Sequence, residues 1–196
     1  MSHVDEIRAF IAIPIPSDVT DYLSKVIYVL QKKLPESPIK WVQANNVHLT
    51  LKFLGNVSRP NLQKMRNSFE SVGKISPFIL QINRIGAFPS IYKPQVIWIG
   101  LSSHENLLKL HRSIEEGVDQ FNIERDDKPF TPHLTIARTK PGIKNEHYQR
   151  IKQELINNRD LEPISFLIDK YCIYQSVLTS SGPIYSTLET FHLQTE

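Results

Sequence analysis

Two short stretches of this sequence carry the same reactive residue types at the same spacing. In His48-Leu49-Thr50-Leu51 and His133-Leu134-Thr135-Ile136, a histidine precedes a threonine by two residues and each is followed by an apolar residue. Side chains two residues apart on a β-strand point to the same face. The pattern therefore predicts that each histidine shares one face of a strand with its threonine, while the apolar neighbours face the core.

Two histidines on either side of a cleft suit in-line displacement at phosphorus. That reaction needs a base at the attacking oxygen and an acid at the leaving oxygen. The ordinary histidine pKa of about 6.5 lets one ring be neutral while the other is protonated near neutral pH. Threonine hydroxyls can donate hydrogen bonds to the non-bridging phosphoryl oxygens. We therefore expect His48, His133, Thr50 and Thr135 to be catalytic.

The two motifs occupy equivalent places in an internal repeat of about 85 residues. A short apolar strand near Phe10 to Ile13, a helix and then His48 are matched by a strand near Val96 to Ile99, a helix and then His133. Each histidine is followed by a further helix and an apolar strand, near 78–82 and near 164–168, and the chain after the fourth helix is predicted to hold two strands in all. We predict an α+β fold in which residues 1–196 form a single bilobal domain with a pseudo-two-fold axis. Two sheets rich in antiparallel strands would line a central cleft, with the helices outside.

Composition and charge limit the classes of protein to which the chain could belong. With 40% hydrophobic and 22% charged residues, the chain is typical of a compact soluble protein. It has no apolar run long enough for a membrane span and its first residues are polar, so we expect a cytoplasmic protein with no membrane association. Residues 1–98 hold 12 Lys and Arg against 6 Asp and Glu, whereas residues 99–196 hold 11 against 14. A modestly basic first half favours a short polyanion over duplex nucleic acid.

Five further residues are candidates for substrate binding. Lys52 and Arg138 could contact phosphate, and Phe10, Phe130 and Tyr185 could stack on a base. Strict alternation along the strand puts Lys52 on the face of His48 and Thr50, and it sends Phe53 to the core. The same alternation puts Arg138 opposite His133, so a role for Arg138 requires the strand to end or bend before it.

The paired motifs resemble those of the 2H phosphoesterase superfamily, and more closely its RNA 2′,3′-cyclic phosphodiesterases, also called 2′-5′ RNA ligases. Arg8-Ala9-Phe10-Ile11-Ala12 is similar to the opening strand of that family, and Phe53-Leu54-Gly55 follows the first motif as in the family. Pro132 and the segment Ala137-Arg138 flank the second motif in the same way. The segment from Ser176 to Tyr185 is similar to the C-terminal region of the family.

The resemblance implies hydrolysis of 2′,3′-cyclic phosphate RNA ends to a 2′-phosphate, with reversible 2′-5′ ligation as a second activity. We favour His48 as the acid that protonates the 3′ oxygen and His133 as the base that activates water, and the swapped assignment stays open. The implied partners are RNA with cyclic phosphate termini, such as tRNA fragments, or small cyclic nucleotides. We expect a monomer that needs neither a cofactor nor a metal, since the motifs lack carboxylates at ligand spacing. The alternative is a non-catalytic nucleotide- or RNA-binding module on the same fold.

Overall fold

The computed structural model describes residues 6–35, 37–69, 72, 74–102, 104–125, 128–180 and 182–194. The described elements, in chain order, are β1 (Glu6–Pro14), α1 (Ser17–Lys33), β2 (Ile39–Trp41), β3 (His48–Ser58), α2 (Arg59–Phe69), β4 (Phe78–Phe88), β5 (Val96–Leu101), α3 (Glu105–Val118), β6 (His133–Thr139), α4 (Asn145–Asn157), β7 (Ser165–Ile168), β8 (Lys170–Thr179) and β9 (Gly182–His192). This arrangement confirms the predicted α+β class.

The strands form one curved antiparallel sheet in the order β7-β4-β5-β6-β3-β1-β8-β9, and β2 pairs with β6. We call β3, β1, β8 and β9 the His48 half, and β6, β5, β4 and β7 the His133 half. Leu49 of β3 pairs with Leu134 of β6, and this residue pair joins the two halves. Both leucines are almost fully buried, so the junction is held by the core as well as by the strand ladder.

The helices cover one face of the sheet because each has an apolar stripe at helical spacing. In α1 the buried residues are Val19, Leu23, Ile27 and Leu30, and in α3 they are Leu107, Leu110, Ile114 and Val118. The Nδ1 atom of His104 caps α3 by accepting a hydrogen bond from the backbone N–H of Asn106 at 3.1 Å. No helix in the described ranges is both long enough and apolar enough to cross a membrane.

Each motif strand contains a bulge one residue after its threonine. Ile11 and Ala12 of β1 pair with Lys52 and Thr50, so Leu51 is left unpaired. On β6, Ala137 pairs with Ile97 of β5 and Thr135 pairs with Trp98, so Ile136 is left unpaired. A bulge reverses which face the following residues occupy. Lys52 and Ala137 therefore point toward the helices, and Phe53 and Arg138 point away from them.

The repeat predicted from sequence describes the two motif strands better than the strands that follow them. The repeat makes β4 and β7 equivalent, yet these strands pair with each other inside the His133 half. The sequence also predicts two final strands after α4, and the structure has three. The chain crosses between halves at Asp169, because β7 ends at Ile168 beside β4 and β8 begins at Lys170 to pair with β1. The assignment of 1–196 to a single bilobal domain stays a prediction.

Candidate active site

The register at the junction sets the geometry of the four motif residues. Since Leu49 pairs with Leu134 in antiparallel strands, His48 lies across from Thr135 and Thr50 lies across from His133. All four side chains are on the face of the sheet that the helices leave uncovered, which we call the open face. Each histidine therefore has the threonine of the other motif as its cross-strand neighbour.

Both imidazoles are oriented by the same backbone interaction. His48 Nδ1 lies 2.8 Å from the carbonyl oxygen of Asn46, and His133 Nδ1 lies 2.7 Å from that of Thr131. A carbonyl oxygen only accepts hydrogen bonds, so Nδ1 must carry the proton in both rings. Nε2 is left as the atom that can take or give a proton in each ring.

Burial lowers the pKa of both histidines below the ordinary value of 6.5. The backbone hydrogen bond at Nδ1 opposes this shift in each case. The charge of His133 lowers the pKa of His48 further, and the charge of Arg138 does the same for His133. Mutual repulsion of this kind favours the state in which one ring is protonated and the other is neutral.

Phe10 lies beneath His48 and is buried, so the prediction that it stacks on a base is wrong. Its ring centroid is 4.8 Å from that of His48 and 5.3 Å from that of Tyr174. Tyr185 meets Phe10 edge-on at 5.0 Å and His48 edge-on at 5.2 Å. With rings packed around it, Phe10 supports the imidazole and has no free face for a nucleotide. Tyr185 is half-buried at the rim of this cluster.

The surroundings of His133 are built from different residues. Phe88 meets the His133 ring edge-on at 5.0 Å, and the Trp98 ring lies 6.4 Å away. The indole of Trp98 covers Gly86, where a Cβ atom would stand 2.3 Å from the Trp98 ring. A glycine is therefore required at position 86 if Trp98 is to keep its place beside His133.

Arg138 lies on the open face because of the bulge at Ile136. Lys40 of β2 pairs directly with Arg138, and both side chains are exposed. No acidic side chain in the described part of the chain forms an ion pair with either residue. Arg138, whose charge acts on His133, and its neighbour Lys40 give this end of the site a positive charge that suits an anionic substrate.

Lys52 is not a phosphate ligand, which corrects the sequence-based prediction. The bulge at Leu51 turns its side chain toward α3, where it is only 1% exposed. Its Nζ lies 2.9 Å from Glu115 Oε2 and donates to the carbonyl oxygen of Glu124 at 2.7 Å. Lys52 thus connects β3, which carries the first motif, to the segment that leads into the second motif.

Phe130 is a packing residue and not part of the open face. Its ring stacks on His111 of α3 with the centroids 4.0 Å apart, and it packs against the core. The prediction that Phe130 stacks on a base is therefore wrong as well. Its contact with His111 places Phe130 on the helix side of the sheet.

Phe53 is a residue of the open face that strand alternation does not predict. It was predicted to face the core, yet it is 58% exposed on the open face. The signal was present in the motifs, because Phe53 and Arg138 each follow their histidine by five residues. A bulge that brings Arg138 to the open face in one strand brings Phe53 there in the other.

The described residues contain no group of three His, Cys, Asp or Glu side chains that could hold a metal ion. The chemistry that the site can perform with its own side chains is paired proton transfer at the two Nε2 atoms. The threonine hydroxyls and Arg138 stand beside them as donors to an anion.

Comparison with known proteins assigns the chain to a family. Residues 31–178 match the 2′-5′ RNA ligase superfamily. The chain belongs to this superfamily. A Thermotoga maritima protein named RNA 2′,3′-cyclic phosphodiesterase is 31% identical over 182 residues, which is 92% of each chain. One from Methanothermobacter thermautotrophicus with the same name is 29% identical over 96% of this chain and all of its own. The family predicted from the two motifs is thereby confirmed.

Solved structures of similar proteins have the same fold. A Thermus thermophilus protein matches with a TM-score of 0.77 and 26% identity, over 97% of this chain and all of that one. Escherichia coli LigT, crystallised with 3′-AMP, also gives a TM-score of 0.77 over 97% of this chain and all of its own, at 21% identity. These two structures thus share the overall fold of this chain.

We predict that Lys52 and Glu115, the buried ion pair beneath the first motif, contribute to the stability of the protein as a coupled pair. Lys52→Met should lower the free energy of unfolding by about 3 kcal/mol, because Glu115 is left as a largely buried carboxylate without its cation. The double variant Lys52→Met with Glu115→Leu should recover most of that loss. Urea denaturation of both variants measures the effect.

The matched control is Lys109→Met, which removes a lysine from an exposed ion pair with Glu105 on the same helix as Glu115. Lys109→Met should lower the free energy of unfolding far less than Lys52→Met does. An equal loss in Lys52→Met and Lys109→Met would contradict a structural role for the buried pair.

Proposed function

We propose that this chain is an RNA 2′,3′-cyclic phosphodiesterase that opens the cyclic phosphate to leave a 2′-phosphate. The observation that carries the proposal is the pair of imidazoles locked in the same tautomer, each beside the threonine of the other motif. The names of the relatives support the same activity. One chain supplies both proton-transfer groups, and we propose that it acts as a cytoplasmic monomer.

In the proposed reaction, a water oxygen attacks phosphorus while the bond from phosphorus to the 3′ oxygen breaks. His133 Nε2 takes the proton of the water, and His48 Nε2 gives its proton to the departing 3′ oxygen. Thr50 and Thr135 donate hydrogen bonds to the two non-bridging oxygens, and Arg138 balances their negative charge. A 5′-hydroxyl in place of water gives a 2′-5′ linkage by the same steps, and this is the proposed ligase activity.

Removal of either imidazole tests the two-histidine mechanism. His48→Ala and His133→Ala should each lower the hydrolysis rate by about 100- to 10,000-fold, because each lacks one proton-transfer group. Thr50→Ala and Thr135→Ala should lower the hydrolysis rate less, by up to about 100- to 1,000-fold. The assay is turnover of a short RNA with a cyclic phosphate end, with the product identified by mass. Near-normal turnover in either histidine variant would refute the mechanism.

A substrate with a better leaving group tests which histidine is the acid. A leaving oxygen that departs without protonation removes the need for the acid, so His48→Ala should recover rate on that substrate while His133→Ala should not. Rescue of His133→Ala alone would assign the roles the other way round. Rescue of neither variant would argue against general-acid catalysis.

The dependence of rate on pH follows from the pKa directions. The active state needs one neutral and one protonated ring, so kcat/KM should be bell-shaped, with both limbs belonging to the coupled pair. Because burial lowers both pKa values in the free protein, the optimum for kcat/KM should lie below about pH 6.5. The negative charge of a bound phosphate stabilises imidazolium, so the kcat profile should shift to higher pH. A flat profile would contradict the proposed proton transfers.

The proposed mechanism uses no metal ion, and chelation tests this. Turnover of the cyclic phosphate RNA should be unchanged in excess EDTA. Addition of Mg²⁺, Mn²⁺ or Zn²⁺ to the treated protein should not raise the rate. Loss of activity that one divalent ion restores would indicate metal-assisted hydrolysis instead.

A further inference from the structure

The two carbonyl groups that fix the tautomers of His48 and His133 are held in place in different ways. Asn46, whose carbonyl oxygen contacts His48, ends a short 3₁₀ turn, and its N–H donates to the carbonyl oxygen of Gln43 at 2.8 Å. Its side-chain Nδ2 donates to the carbonyl oxygen of Pro183 at 3.3 Å. The Asn46 carbonyl is therefore held by hydrogen bonds of its own residue.

Thr131, whose carbonyl oxygen contacts His133, lies in a segment outside any helix or turn. After it, Pro132 restricts Thr131 to extended backbone, and the Pro132 carbonyl oxygen accepts from the N–H of Leu101 at 3.2 Å. Before it, the Phe130 ring stacks on His111 of α3, with the ring planes 18° apart. The Thr131 carbonyl is therefore held on one side by a side-chain contact with a helix.

His111 is in turn held by the buried ion pair beneath the first motif. Its Nε2 lies 3.8 Å from Glu115 Oε1, one turn further along α3, and Glu115 Oε2 lies 2.9 Å from Lys52 Nζ. Glu115 Oε1 is buried and has no hydrogen-bond partner in the described part of the chain, so its negative charge acts on the edge of the His111 ring. The face of the same ring is left to pack on Phe130.

One turn of α3 thus contacts the segments of both motifs. Glu115 binds Lys52, which follows Thr50 by two residues, and His111 stacks on Phe130, which precedes His133 by three. Residues four apart share a face of a helix, so both contacts are made by the same surface of α3. The helix therefore fixes the two segments relative to each other from the side opposite the open face.

We propose that His111 is a positioning residue for His133. By stacking on Phe130 it sets the place of the Thr131 carbonyl oxygen, and this oxygen holds the His133 ring with Nε2 available for proton transfer. The expected effect on turnover rests on the proposed function, whereas the effect on the ring does not. His48 should not depend on α3 in this way, because hydrogen bonds of Asn46 itself hold the equivalent carbonyl.

The state of the two imidazoles tests the proposal directly. His111→Ala and Phe130→Ala should each weaken the hydrogen bond from His133 Nδ1 to the Thr131 carbonyl oxygen. That hydrogen bond raises the pKa of His133, so its loss should lower the pKa further and populate the tautomer protonated at Nε2. The measurement is a pH titration of the imidazole nitrogen chemical shifts by NMR, in which His48 should keep its tautomer.

Turnover tests the same chain of contacts. His111→Ala should lower kcat by about 10- to 100-fold at nearly constant KM, because a proton-transfer group is misplaced and no binding group is lost. Adding Phe130→Ala to His111→Ala should cause little further loss. Phe130→Ala should also leave the residual rate of His133→Ala unchanged, since it acts through that ring, but it should lower the rate of His48→Ala further.

Matched substitutions separate the stack from other roles of the helix. His111→Phe keeps a ring against Phe130, so it should retain most of kcat and the His133 tautomer. His111→Leu keeps an apolar side chain without a ring and should retain neither. Arg112→Ala removes the exposed neighbour of His111 on α3 and should behave as the unmodified protein does.

The outcomes distinguish this proposal from the proposed function. An unchanged His133 tautomer in His111→Ala and Phe130→Ala would overturn the positioning role, whatever the rate. Equal changes at His48 and His133 would indicate a general loss of structure and would overturn it as well. No turnover by the unmodified protein would overturn the proposed function, and the nitrogen chemical shifts would then still decide whether His111 positions His133.

Discussion

The pairing of Leu49 with Leu134 is the constraint on which the site depends. It joins the two halves of the sheet, and its antiparallel register sets each histidine across from the threonine of the other motif. A shift by one residue would turn one histidine toward the core and leave the other without its partner threonine. Burial of both leucines makes such a shift costly, so the same contact that stabilises the core holds the catalytic geometry.

The bulges at Leu51 and Ile136 determine which side chains surround the four motif residues. Without them, Lys52 would lie beside Thr50, and Arg138 would point into the helices. With them, a lysine is removed from the open face into a buried ion pair, and a phenylalanine and an arginine take the equivalent places in the two halves. The position five residues after each histidine is therefore aromatic in the His48 half and cationic in the His133 half.

Sequence alone predicts the four motif residues, the α+β class and the order of the main elements, because those depend on residue type and local periodicity. It does not predict the bulges at Leu51 and Ile136, since an apolar residue after threonine fits both regular and bulged strands. The errors at Lys52 and Phe53 follow from that single omission. The errors at Phe10 and Phe130 arose because periodicity does not show whether an aromatic ring is covered by rings from distant strands. The break between β7 and β8 depends on pairing with strands that are distant in the chain, so the sequence does not predict it either.

The carbonyl contacts at Asn46 and Thr131 have a consequence for the complete catalytic cycle. Each Nδ1 proton is held by a backbone carbonyl oxygen, so only the Nε2 atoms gain or lose a proton during turnover. After the product forms, His48 is neutral and His133 is protonated, which is the inverse of the starting state. The resting form is restored only when solvent carries a proton away from one ring and delivers one to the other. An uncovered sheet face gives water access for this resetting step, so a site that excluded solvent throughout would slow its own recovery.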